Sequence, residues 1–95
     1  MNDLNSVLLE GIVVGELSTG DDACSFQVES KRTDANGICT CIGVTIVTRG
    51  RLAQVCGEYL KAGLGVRVVG RLAYYMNAGL HVAAEHVEFK SKDYG

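Results

Sequence analysis

Four cysteines and two histidines are the residues with the sharpest chemistry in this sequence. Cys39 and Cys41 lie two positions apart, which on a strand puts both thiols on one face. With Cys24, Cys56, His81 or His86 they could complete a tetrahedral zinc set. The usual zinc-finger and ribbon spacings are absent, however. Free cysteine also serves as a small buried hydrophobe. His86 sits between Glu85 and Val87 with nothing to orient it towards a nucleophile. There are no paired acids, no Ser/His arrangement, no P-loop and no dinucleotide fingerprint. The expectation is no metal, no cofactor and no catalysis.

A second constellation is basic and aromatic. By alternation, Arg67, Val69, Arg71, Ala73 and Tyr75 share one strand face, opposite Val66, Val68 and Leu72. Two arginines and a tyrosine on one face suit a binding groove. They equally suit solvated charges paired with Glu or Asp, because outward charge is ordinary on an antiparallel strand. Tyr74 and Tyr75 stand where that strand enters a hairpin, so their rings serve either hairpin packing or stacking. Lys31 and Arg32 flank a polar loop. They are placed to reach a phosphate or to stand as a solvated pair.

The elements that must carry these groups are short strands. Val7 to Gly15 is apolar and β-branched, with Gly11 expected to mark a bulge or bend. Ser18 to Asp22 is a turn cluster. Cys24, Phe26 and Val28 alternate with Ser25, Gln27 and Glu29, the period of a half-buried strand. Lys31 to Gly37 is polar, ends in Asn-Gly and predicts a hairpin loop. Ile38 to Thr48 predicts a third strand, with Ile42, Val44 and Ile46 on one face and Cys41, Gly43, Thr45, Val47 and Arg49 on the other. Arg51 to Lys61 is the single helical stretch, with Leu52, Val55, Cys56, Tyr59 and Leu60 as its apolar stripe. Gly63 would cap it, and Lys61 would suit its last turn. Strands over Val66–Tyr75 and Leu80–Phe89 follow, joined by the turn Asn77-Ala78-Gly79. The fold class is all-β, a barrel of five strands with one helix between the third and fourth.

Size and composition agree. Ninety-five residues make one domain and one core; we expect it over 1–90, with 91–95 a flexible tail. Apolar residues are 47% and charged residues 21%, the composition of an ordinary globular chain. The N-terminus lacks a basic n-region and an apolar h-region, and no apolar run reaches the roughly 20 residues that span a bilayer. The expected location is the cytoplasm, where free thiols are the rule. The formal net charge of −2 counts mildly against a nucleic-acid partner. The local distribution of charge decides that question.

Several segments resemble the bacterial single-stranded DNA-binding proteins, whose domain is the oligonucleotide/oligosaccharide-binding (OB) barrel. Leu4-Asn5-Ser6-Val7-Leu8-Leu9-Glu10-Gly11 is similar to the family's opening strand. Gly50-Arg51-Leu52-Ala53-Gln54 and Glu58-Tyr59-Leu60-Lys61-Ala62-Gly63 are similar to its helix and the turn after it. Val66-Arg67-Val68-Val69-Gly70-Arg71-Leu72 resembles its fourth strand, and Ala84-Glu85-His86-Val87-Glu88-Phe89 its last. The matches run in order along nearly the whole chain.

The resemblance implies sequence-independent binding of single-stranded DNA in replication, repair or recombination, near the nucleoid. Bases would stack on Tyr75 and Tyr74. Phosphates would meet Arg49, Arg67, Arg71, Lys31 or Arg32. It implies a homodimer or homotetramer assembled through the first strand. The sequence departs from the family in three respects. The third-strand aromatics fall near Gly43 and Arg49; tryptophan is absent; and the long acidic-tipped tail is not part of the sequence. A divergent paralogue that keeps the barrel but assembles with proteins is the alternative that the missing stacking rings and the acidic balance favour; the tail bears on both readings.

Overall fold

A computed structural model describes residues 2–90 of the chain. The tail expected over 91–95 therefore lies outside the described residues. The elements are β1 (Val7–Thr19), β2 (Ala23–Thr33), β3 (Cys39–Arg49), α1 (Gly50–Tyr59), β4 (Gly65–Tyr75) and β5 (Gly79–Phe89). The strands close into a barrel in the order β1-β2-β3-β5-β4. All pairings are antiparallel except the short contact of β3 with β5, at Ile46–Val82 and Val47–Ala83. The expected five-stranded barrel, with its helix between the third and fourth strands, is the structure observed.

Alternation builds the core. Val13, Phe26, Val28, Ile46, Val66, Val68 and Val82 point inward from all five strands and are almost wholly buried. Each such side chain contributes roughly 1.5–3 kcal/mol through removal of apolar surface from water. Ala53, Cys56 and Leu60 close one end from the helix.

The helical stripe is rotated from the expected one. Val55 and Tyr59 are exposed, while Ala53 is buried. The helix also stops at Tyr59, so Lys61 lies beyond its last turn. Leu60 leaves helical backbone (φ −78°, ψ 145°) and sinks its side chain into the core. Gly63 does not cap the helix. At φ 95° it turns the chain into β4, and its N–H donates to the Val13 carbonyl at 2.8 Å.

Two glycines set the barrel's shape. A Cβ on Gly11 would overlap the Glu29 carbonyl, and one on Gly70 the Ala83 carbonyl. Gly11 thus permits a close crossing, where β1 changes partner from β4 to β2. The bulge expected there lies further on, between Val14 and Ser18, where Gly15 has φ 72°. Gly70 faces a bulge in β5, whose register skips Glu85 between His86 and Ala84.

The second hairpin is longer than the sequence suggests. Lys31 and Arg32 are not in a loop; they pair with Cys41 and Thr40 within the ladder of β2 and β3. The turn is confined to 34–38. There the Asp34 carboxylate accepts from the Asn36 and Ile38 N–H groups at 2.9 and 3.0 Å. The arm passes the end of the barrel, which is why Ile42, on the same face as buried Ile46, is 57% exposed. The β4–β5 hairpin overshoots in the same way. Leu72, expected on the face of Val66 and Val68, stands 48% exposed while those two are buried.

Candidate nucleic-acid interface

The cysteines and histidines do not converge. Cys24 and Cys56 are buried, whereas Cys39 and Cys41 are exposed on the arm. Among the described residues no group of three or more His, Cys, Asp or Glu side chains could hold a metal ion. Burial pushes the Cys56 thiol up to about 11, with a smaller contribution from Cys24. Burial raises Cys24 as well. Both are therefore protonated, poorly nucleophilic core thiols at neutral pH.

The basic and aromatic residues divide between two faces. Arg67 lies in an ion-pair cluster on the outer wall formed by β1, β4 and β5. Its Nε donates to Glu10 Oε2 at 2.8 Å, and its Nη1 is 3.6 Å from Glu88. Lys90 reaches the same Glu10 oxygen at 2.9 Å, and its side chain is only 13% exposed. Hydrogen bonds from Lys90 and then Arg67 hold the Glu10 carboxyl below the usual carboxylate range. Arg71 lies 3.6 Å from Glu85. Of the alternatives open for these two arginines, the arrangement matches charges paired with Glu.

Arg49 and Tyr75 meet instead on another face. The Arg49 guanidinium carbon is 5.3 Å from the Tyr75 ring centroid, the separation of a cation–π pair. The His81 ring is 5.1 Å from the same tyrosine, tilted by 31°. His81 is buried; its Nδ1 bonds the Gly79 carbonyl at 2.9 Å, and its Nε2 has no partner among the described residues. Topology explains the meeting. The parallel register of β3 and β5 sets His81 beside the Thr45–Val47–Arg49 face, and β4 delivers Tyr75 across β5.

These residues border an open groove of about 480 Å³. Ser25 and Gln27 from β2, with Thr45, Val47 and Arg49 from β3, line its floor. Thr19 and Gly20 bound it at the β1–β2 turn, and Tyr75, Asn77 and Ala78 at the β4–β5 turn. Gln27 Nε2 donates to Thr45 Oγ1 at 2.5 Å. Among the lining residues Arg49 is the one cation.

No protein-family model and no curated protein matches this sequence. Solved structures do match the fold. The small single-stranded DNA-binding protein of Streptomyces coelicolor superimposes with a TM-score of 0.79 at 18% identity, over 95% of each chain. The second single-stranded DNA-binding protein of Mycobacterium smegmatis gives 0.76 at 21%, over 90% of this chain and 87% of that one. A deletion mutant of the Thermus aquaticus single-stranded DNA-binding protein gives 0.74 at 21%, with 93% of this chain covering 51% of that one. The fold is the OB barrel.

In OB barrels the β2–β3 face and the β1–β2 and β4–β5 loops hold oligonucleotides or oligosaccharides. The groove of this OB barrel occupies that same position. Of the seven residues singled out in the sequence, it gathers Arg49 and Tyr75. Arg67 and Arg71 are on the ion-paired wall. Tyr74 is on the reverse of its hairpin, opposite Leu80. Lys31 lines a separate cavity with Glu10, Glu29 and Lys90, and Arg32 alternates to the other face of β2. Gln27 and Thr45 were not singled out, and His81 was singled out only as a possible metal ligand. The available signal was that Gln27 and Thr45 share the outward faces of two adjacent strands, one of which ends in Arg49.

Proposed function

We propose that this chain binds single-stranded DNA without sequence preference, through the groove over β2 and β3, in replication, repair or recombination. The observation that carries the reading is Arg49 stacked over Tyr75 at the mouth of that groove. A flat ring and a guanidinium plane are surfaces on which any base can stack. The solved structures of like fold are themselves named as single-stranded DNA-binding proteins, which supports the same ligand. The role is binding rather than catalysis, in the cytoplasm at the nucleoid. Outward Leu8 and Ile12 on β1, 70% and 46% exposed, favour a homodimer or homotetramer.

Fluorescence anisotropy of a labelled oligo-dT tests the reading. Tyr75→Ala should weaken binding at least about fivefold, the loss of one stacked base, while Tyr74→Ala leaves it unchanged. Equal losses in the two variants, or no binding by the wild type at low salt, would sink the proposal.

A further inference from the structure

We infer that the groove holds its strand chiefly by the bases and neutralises no more than two phosphates. The inference rests on the proposed function and specifies which part of the ligand is recognised.

Charge placement carries it. Among the described residues Arg49 is the one cation lining the groove, and its guanidinium carbon lies over the Tyr75 ring, 5.3 Å from the centroid. Further along the outward face of β2, in alternation with Gln27, comes Lys31, beside Glu29 on that same face. It is the second cation a strand could reach. The other described cations lie elsewhere: Arg67 pairs with Glu10 and Glu88, Lys90 pairs with Glu10, Arg71 is 3.6 Å from Glu85, Arg32 is on the reverse of β2, and Arg51 and Lys61 belong to α1 and the segment after it.

The remaining floor is polar but uncharged. Ser25, Gln27 and Thr45 present hydroxyl and amide groups, each able to donate and accept. Such groups match base edges; a phosphate oxygen uses only the donors. Val47 supplies apolar surface between them.

The consequence is a weak salt dependence. Single-stranded binding that neutralises Z phosphates follows a log–log salt slope of about −0.7Z, so two phosphates give about −1.4. The test uses the full chain and a labelled dT oligomer of about ten nucleotides, short enough for one barrel. Anisotropy titrations would run from about 20 to about 300 mM sodium chloride. The same oligomer with uncharged methylphosphonate linkages is titrated alongside.

The expected slope is about −1.4 or shallower, and the uncharged oligomer should bind within about thirtyfold of the natural one. A steeper slope, or a larger loss with the uncharged backbone, overturns the inference and leaves DNA binding standing. Failure of both oligomers to bind at the lowest salt overturns the proposed function and this inference with it.

Discussion

The Arg49 guanidinium lies over the Tyr75 ring, 5.3 Å from its centroid, and so joins two residues from strands that are not neighbours in the barrel. Tyr75 also contacts His81 on the intervening strand. A base entering the groove meets this stack as a unit. Arg49→Ala and Tyr75→Ala should therefore weaken oligo-dT binding by less in combination than the sum of their separate effects. The expected coupling is about 0.5–1 kcal/mol, the size of an exposed cation–π pair. A double-mutant cycle by anisotropy measures it, and strict additivity would show that the two act separately.

Arg67 and Arg71 supply the contrast. Their carboxylate partners and their place on the β1–β4–β5 wall remove them from the groove. Replacing both with glutamine should leave oligo-dT affinity within about twofold, because no phosphate contact is lost. A tenfold loss would mean that the strand wraps this wall instead.

The Glu10 cluster predicts a pH dependence of stability. Its folded-state carboxyl is held below the ordinary value by Lys90 and Arg67. A depressed folded value stabilises the fold above the unfolded value and ceases to do so as pH falls through the folded one. Glu10→Gln should thus lower Tm at pH 7, and the difference should shrink as pH falls below the ordinary carboxylate range and the folded-state carboxyl takes up its proton. Thermal melts of both proteins across that range provide the check; a constant difference would assign the loss to packing.

Gly70 faces the bulge of β5 at a distance that leaves no room for a methyl group, since a Cβ would overlap the Ala83 carbonyl. Backbone cannot swing aside as a side chain can. Gly70→Ala should cost at least about 1–3 kcal/mol, the usual penalty of overpacking, measured by urea unfolding. Gly43→Ala, with nothing within 4 Å of the added carbon, serves as the control and should cost less.

Alternation and turn chemistry in the sequence were enough to place five strands, the helix between the third and fourth, and the shared faces of Cys24, Phe26 and Val28 and of Val66 and Val68 that the core uses. Each of those features depends on neighbours within a few residues. The ends of the two long hairpins were harder to place, because the inward side of Ile42 and Leu72 extends past the barrel and has nothing to pack against.

The composition of the groove was decided by tertiary structure alone. Arg67, Arg71 and Tyr75 lie on one face of one strand, yet eight residues of strand span about 26 Å. Barrel closure sends the start of β4 to β1 and its end across β5 towards β3. Period two tells a residue which side of its own strand it occupies, and it carries no information about which strand lies alongside. Arg49 therefore meets Tyr75, and Arg67 meets Glu10, only once the sheet has closed.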